Sequence, residues 1–116
     1  MSFQNRKFTK TTTDANLMET VHHGSAEYPF RYYYENIALF DFKCIDWHWH
    51  SELEFIYIES GNVVFDIGTV HFELNEGNGI MINSKILHRL QSSSDAIIPN
   101  FLFLAFIYCT TGQSHL

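Results

Sequence analysis

The sequence predicts an all-β domain of the sandwich or barrel type, preceded by a short N-terminal helix. From Ile37 onward, apolar and β-prone runs follow one another with turn residues every eight to twelve positions. No amphipathic helical pattern interrupts them. With 116 residues, 46% hydrophobic and 16% aromatic, the chain has length for one domain and apolar side chains enough for one core.

Taken in order, residues 1–13 lack hydrophobic periodicity and read as a loose arm. Asp14 is placed to cap a helix of two or three turns in which Leu17, Met18 and Val21 share a face, ended by Gly24 and Pro29. This divides the chain into an arm with its helix (1–30), a barrel (31–109) and a polar tail (110–116). His22 and His23 precede a glycine outside the barrel and read as solvent-exposed, with no role. Arg31 to Glu35 reads as a strand whose three tyrosines either pack with hydroxyls at the rim or wall a polyhydroxylated ligand. Leu39 to Cys44, Ile45 to His50 and Leu53 to Ile58 follow as strands, and Ser60-Gly61-Asn62 is read as a tight hairpin leading into Val63 to Ile67. After a turn at Gly68-Thr69, Val70, Phe72 and Leu74 alternate with polar residues in a strand exposed on one face. Ile80 to Ile82 is a short buried strand, His88 heads another, and Ile97 to Tyr108 is the last.

The chemistry concentrates between His48 and His88. Side chains alternate along a strand, so His48 and His50 project to one side and Trp47 and Trp49 to the other. The tryptophans read as core or interface, covered by the N-terminal arm or by a second copy of the chain. A bend near Ser51-Glu52 lets Glu54 face the same interior as the imidazoles, and His88 offers a fourth donor. Three imidazoles and a carboxylate form a mixed N/O set that suits Fe(II), Mn(II), Ni(II), Zn(II) or Cu(II) without choosing among them. The same four groups could instead hydrogen-bond a polar effector or one another.

These residues also carry a resemblance. His-x-His, three residues, Glu, six residues, Gly is the first motif of the cupin superfamily, and His48, His50, Glu54 and Gly61 meet it at every position. In the second motif Gly77 and His88 fit, while Asn83 and Lys85 stand where that motif has Pro and Gly, and Phe42 stands where a Gly precedes the first His. The run from Asp46 to His88, with Trp47-His48-Trp49-His50, together with His23-Gly24-Ser25 and Tyr28-Pro29-Phe30, resembles the N-terminal sensing domain of AraC-type transcriptional regulators. The resemblance covers roughly positions 20 to 104. It implies a cupin-like double-stranded β-helix, or jelly-roll barrel. It also implies a ligand site built from His48, His50, Glu54, Tyr57 and His88, with His48, His50, Glu54 and His88 as the metal set if a divalent ion (Fe, Mn, Ni or Zn) is held. The expected partner is a small-molecule effector, such as a sugar or another metabolite, with a homodimer left open. The family continues past this barrel into dimerisation helices and helix-turn-helix units, so the expectation is a sensing domain truncated before its DNA-binding part.

Composition bounds the alternatives. Seven Lys and Arg against thirteen Asp and Glu give a net charge of −6, which would repel a phosphate backbone, so the chain by itself is not expected to hold DNA. Cys44 and Cys109 lack metal-pair or redox spacing and are read as buried thiols in a reducing, cytoplasmic setting. The apolar run from Phe101 to Cys109 is too short to cross a bilayer as a helix, which needs about 20 residues. The second reading is a metal-dependent cupin enzyme of isomerase or dioxygenase type using the same four residues, with Tyr57 or Glu52 as the only candidates for a general base. A third is an interaction remnant with an unliganded pocket.

Overall fold

The computed structural model describes residues 11–21, 23 and 30–103. Within them lie strands β1 (Phe30–Asn36), β2 (Cys44–His48), β3 (Leu53–Tyr57), β4 (Asn62–Ile67), β5 (Val70–Asn75), β6 (Gly79–Ile82), β7 (His88–Gln91) and β8 (Ile97–Phe103). They form two four-stranded antiparallel sheets, ordered β1-β8-β3-β6 and β2-β7-β4-β5. That interleaving is the jelly roll, and the predicted all-β barrel is the observed fold. Alternation supplies the reason: β8 reads intermediate and buried residue by residue, and β3 buries Glu54 and Ile56 while exposing Phe55 and Tyr57. Between the sheets Ile37, Ile56, Ile58, Val63, Phe65, Ile82, Leu90, Ala96 and Ile98 make one dry core. Each of the larger side chains contributes about 1.5–3 kcal/mol through removal from water, and Ala96 less.

Three sequence expectations change. The segment read as a short helix is, among the described residues, a turn. Asp14 Oδ1 accepts from the backbone N–H of Asn16 (2.8 Å) and Met18 (3.0 Å), and Leu17 takes φ +66°. An aspartate that bonds its own following backbone competes with helix, and here the edge at Trp49 offers better partners. Trp49 N–H donates to the Leu17 carbonyl (3.0 Å), and Glu19 N–H donates to the Trp49 carbonyl (2.8 Å). Ile37 to Lys43 is not strand but two 3₁₀ turns, the first capped by the Asn36 side chain on Ala38 N–H at 2.9 Å. They deliver Ile37 to the core and leave Phe42 exposed at φ +59°. Finally, Ser60-Gly61-Asn62 is no hairpin, because β3 and β4 belong to different sheets. Gly61 (φ +81°) is nevertheless required: a Cβ there would lie 2.9 Å from the Ala96 Cα. The Gly68-Thr69 hairpin stands as read, pairing Ile67 with Val70. The last strand is described to Phe103; its expected continuation to Tyr108 lies outside the described residues, as do Cys109 and the tail. Cys44 is only partly buried, and burial raises its thiol pKa.

Candidate functional site

At one end of the space between the sheets the dry core gives way to buried polar groups. His48 ends β2 and pairs in register with His88 at the start of β7. His50 follows in the link to β3, and Glu54 comes from the opposing sheet. All four are buried, and one ligand atom from each lies within 4.8 Å of the others. The sequence-derived cluster is therefore assembled in space.

The imidazoles share one anchoring scheme. Nδ1–H of His48 donates to the Asp46 carbonyl (2.8 Å), that of His50 to Glu52 (3.1 Å) and that of His88 to Ile86 (2.7 Å). A carbonyl can only accept, so each bond fixes the proton on Nδ1 and turns Nε2 inward. His50 Nε2 reaches Glu54 Oε1 at 3.1 Å, and because a carboxylate also only accepts, that nitrogen donates when His50 carries a second proton. His88 Nε2 lies 3.3 Å from the same oxygen, but out of line for a hydrogen bond, and is a buried polar atom without a partner among the described residues. Such an atom costs about 1–3 kcal/mol unless something else fills its lone pair.

Electrostatics separates the members. Burial, with His88 beside it, pushes the His48 pKa down to about 4, so this ring is neutral at physiological pH. For His50 burial also acts downward, but the Glu54 carboxylate outweighs it and raises the pKa. Burial alone would raise the Glu54 pKa; His50 and His88 overcome it and hold the carboxyl well below the ordinary range.

The structure adds residues that the sequence reading passed over. His23, read as exposed, is 4% exposed and packs edge-on to His50 with centroids 5.8 Å apart. Its Nε2 meets Glu19 Oε1 at 2.6 Å and its Nδ1 meets the Tyr33 hydroxyl at 2.7 Å. The Glu52 carboxylate accepts the His23 backbone N–H at 3.4 Å. Glu19 is held below its ordinary pKa: burial opposes this, but the His23 hydrogen bond prevails. His22 lies outside the described residues. Tyr57 is not brought to the cluster. It stands three residues from Glu54, hence on the other face of β3, and is 41% exposed. Of the three tyrosines, Tyr33 faces inward, whereas Tyr34 donates its hydroxyl to Glu59 at 2.6 Å. The expected cover over Trp49 is present: its indole N–H donates to the Asn16 carbonyl of the arm at 3.0 Å. Trp47 lies under the Arg89 guanidinium, 4.8 Å from the ring centroid.

Glu19, His23, Tyr33, Glu35 and Asn100 join His48, His50 and Glu54 of the cluster around a cavity of about 50 Å³. The arm thus roofs the polar end of the barrel.

An eight-stranded jelly roll with a buried three-histidine, one-glutamate set at its mouth defines a cupin-type domain. Comparison with solved structures agrees on the fold. A protein from Neisseria meningitidis, NMB1881, superposes with a TM-score of 0.53 at 16% identity, over 66% of this chain and 74% of that one. A cupin-2 domain containing protein from Shewanella frigidimarina gives 0.50 at 15% identity, over 62% and 66%. The Cnp3 cupin domain of Schizosaccharomyces pombe gives 0.52 at 4%, over 59% and 49%. Residues 41–106, more than half of the chain, match the family described as the AraC-like ligand binding domain, and the chain belongs to that family. A relative from Bacillus subtilis, the uncharacterized HTH-type transcriptional regulator YdeC, is 29% identical over 111 residues. The match takes in 89% of this chain but spans only 38% of that regulator. Among the described residues no helix is long and apolar enough to cross a membrane.

Proposed function

We propose that the chain is the effector-sensing part of an AraC-type regulator, and that a small-molecule effector enters the polar end of the barrel against His48, His50, Glu54 and His88. The observation that carries this reading is the arm. With His23 held by Glu19 and bonded to the Tyr33 hydroxyl, it is tied to the wall of a cavity of about 50 Å³, several-fold smaller than the roughly 300–1,000 Å³ of ordinary ligand pockets. A metabolite of sugar size fits only when the arm shifts, so occupancy and arm packing are coupled. In a longer polypeptide that shift would be passed to DNA-reading helices. Sensing is favoured over turnover by the two residues suited to general-base work: Tyr57 faces outward, and the Glu52 carboxylate is engaged by His23 N–H.

A second reading concerns a metal. Three Nε2 atoms and a carboxylate converge, and the partnerless His88 Nε2 is what a cation would satisfy. The residues fit Fe(II), Mn(II), Ni(II) or Zn(II), with His48, His50, Glu54 and His88 as ligands and backbone carbonyls fixing the rings behind them. A bound ion would supply a Lewis-acidic anchor for an effector oxygen.

Thermal melts with a panel of divalent metals at pH 7.5 and 5.5, and with a panel of sugars and other metabolites, test both readings. Only a compound that binds the native state raises the melting temperature. Metal stabilisation at pH 7.5 that weakens at 5.5, where protons compete for the imidazoles, supports the metal. Stabilisation by a metabolite together with a change in Trp49 fluorescence supports the sensor. A variant with His48, His50 and His88 all replaced by Ala that matches the parent in both series would sink the site assignment.

A further inference from the structure

The cavity beneath the arm has a chemical character as well as a size. Three carboxylates line it, Glu19 from the arm, Glu35 from β1 and Glu54 from β3, and among the described lining residues there is no lysine or arginine. A carboxylate only accepts hydrogen bonds, and it repels an anion. His23 and His50 engage Oε1 of Glu19 and of Glu54, which leaves Oε2 of each without a hydrogen bond among the described residues. Two further lining side chains, His48 and Asn100, are each 4% exposed or less and add acceptors of their own. His48 bonds the Asp46 carbonyl through Nδ1–H, and its inward Nε2 lone pair has no hydrogen bond among the described residues. Asn100 uses both N–H groups of Nδ2, one on Glu35 Oε1 (3.0 Å) and one on the Ile98 carbonyl (2.9 Å). Both partners accept, which fixes the orientation of the amide and leaves Oδ1 as the polar atom Asn100 has to offer the cavity. The hydroxyls of Thr11 and Thr12 can act either way.

The rest of the wall includes Ile45, Leu90, Ile98 and Leu102. A polyol, hydroxylated on every side, would lose hydrogen bonds against these side chains, whereas a carbon stem would not. At about 10–15 Å³ for one water, a cavity of about 50 Å³ takes roughly three to five non-hydrogen atoms. That is an ammonium or guanidinium group on a short stem, and a longer molecule needs the arm to move. Resting on the reading of this cavity as the effector site, we infer that the effector is an organic cation. Its N–H groups donate to the carboxylates, to His48 Nε2 and to Asn100 Oδ1, and its carbon stem lies on the apolar wall. Hydrogen bonds from a charged donor are about twice as strong as neutral ones, which favours such a cation over an alcohol of the same shape.

The test titrates the full chain with three probes of one carbon skeleton, n-propylammonium, n-propanol and propionate, in metal-free phosphate buffer at constant ionic strength. Thermal melts report binding, since only a compound that prefers the native state raises the midpoint. n-Propylammonium should bind about ten-fold more tightly than either of the other two. Glu19→Gln and Glu35→Gln keep side-chain size and lie outside the four-residue metal set. Each should weaken n-propylammonium about ten-fold while the melt without probe stays cooperative. Propanol or propionate binding as tightly as the amine would overturn the inference, as would an amine that gives no shift or is indifferent to both substitutions. Stabilisation by a sugar or an anion instead, lost when His48, His50 and His88 are all replaced by Ala, would overturn the cation and keep the sensor. A triple variant that matches the parent with every probe and metabolite would remove the sensing site itself, and this inference with it.

Discussion

The two ends of the space between the sheets are built by the same strands and do opposite things. β3 contributes Glu54 to one end and Ile56, two residues on and on the same face, to the other. β7 likewise contributes His88 and then Leu90. Around Ile56 the packed groups are mainly apolar, with the buried Asn100 paired beside it, and Phe65 stacks on Phe72 with centroids 5.6 Å apart. At the Glu54 end His48, His50, Glu54 and the arm's Glu19 and His23 line a small cavity, and the buried His88 Nε2 has no partner among the described residues. One end stores folding free energy, and the other spends a little of it to keep lone pairs directed at a shared point.

The contrast is broken most directly by truncation at each end. Phe65→Ala empties a fully buried site and should cost about 3–5 kcal/mol, read from the denaturant midpoint. His88→Ala, measured in metal-free buffer, should cost less, about 1–3 kcal/mol: it gives up the bond to the Ile86 carbonyl and the support of Glu54, but it also removes a buried Nε2 that has no partner among the described residues. Equal costs would mean that the polar end is structural core, and the ligand reading would lose its main support.

A second test uses pH. His48 has its pKa pushed down to about 4, whereas the unfolded chain binds that proton near 6.5. A depressed folded pKa means stability that is fully present above 6.5 and drains away as pH falls toward 4; across that window the loss is about 3 kcal/mol. Glu54 acts with the same sign at lower pH, since its folded pKa is also depressed. His50 acts oppositely: its pKa is raised, so its contribution is complete below 6.5 and is lost as pH rises through the folded value. The metal-free protein should therefore be most stable near neutrality. His48→Gln should flatten the acid limb between pH 6.5 and 4 while leaving the limb below 4 in place. A limb unchanged in that variant would show that His48 is not held neutral by burial.

What the sequence disclosed about this polar end, and what it hid, follows the range of the interactions. Alternation and motif spacing are local, and they placed His48, His50, Glu54 and His88 together correctly. Alternation also held the information that Tyr57, an odd step from Glu54, faces outward. His23 was hidden because its burial depends on an arm meeting Trp49 and Glu52, contacts between residues distant in sequence that no periodicity encodes. The Leu17, Met18, Val21 spacing is helical, but a segment this short takes whatever backbone partners tertiary structure offers. The turn residues at Gly61 announced a change of direction without saying which sheet received the next strand. Phe42 and Lys85, standing where the resembled motifs have Gly, both take positive φ, +59° and +64°. Two of the three departures from the motifs thus fall where the backbone takes the left-handed conformation that glycine adopts most easily.

That last point gives the smallest test of the comparison, since a residue in the left-handed region stands beside each end. Gly61, beside the dry core, has φ +81°, and a Cβ would meet the Ala96 Cα at 2.9 Å and the Ser94 Oγ at 2.8 Å. Gly61→Ala therefore combines the left-handed penalty of about 1–2 kcal/mol with a clash against backbone, and should cost 2 kcal/mol or more. Lys85, beside the polar end, already carries a side chain at φ +64° and donates its N–H to the His50 carbonyl at 2.7 Å, tying the β6–β7 link to the cluster. Lys85→Gly removes the left-handed penalty and keeps that hydrogen bond. Against this stands the extra unfolded-chain entropy of glycine, about 0.5–1 kcal/mol, so the net effect should be stabilisation of about 0.5 kcal/mol. Chemical denaturation of the two variants beside the parent reads both signs at once. A destabilised Lys85→Gly protein would show that the lysine side chain itself anchors the link behind His50, making the polar end as tightly specified as the core.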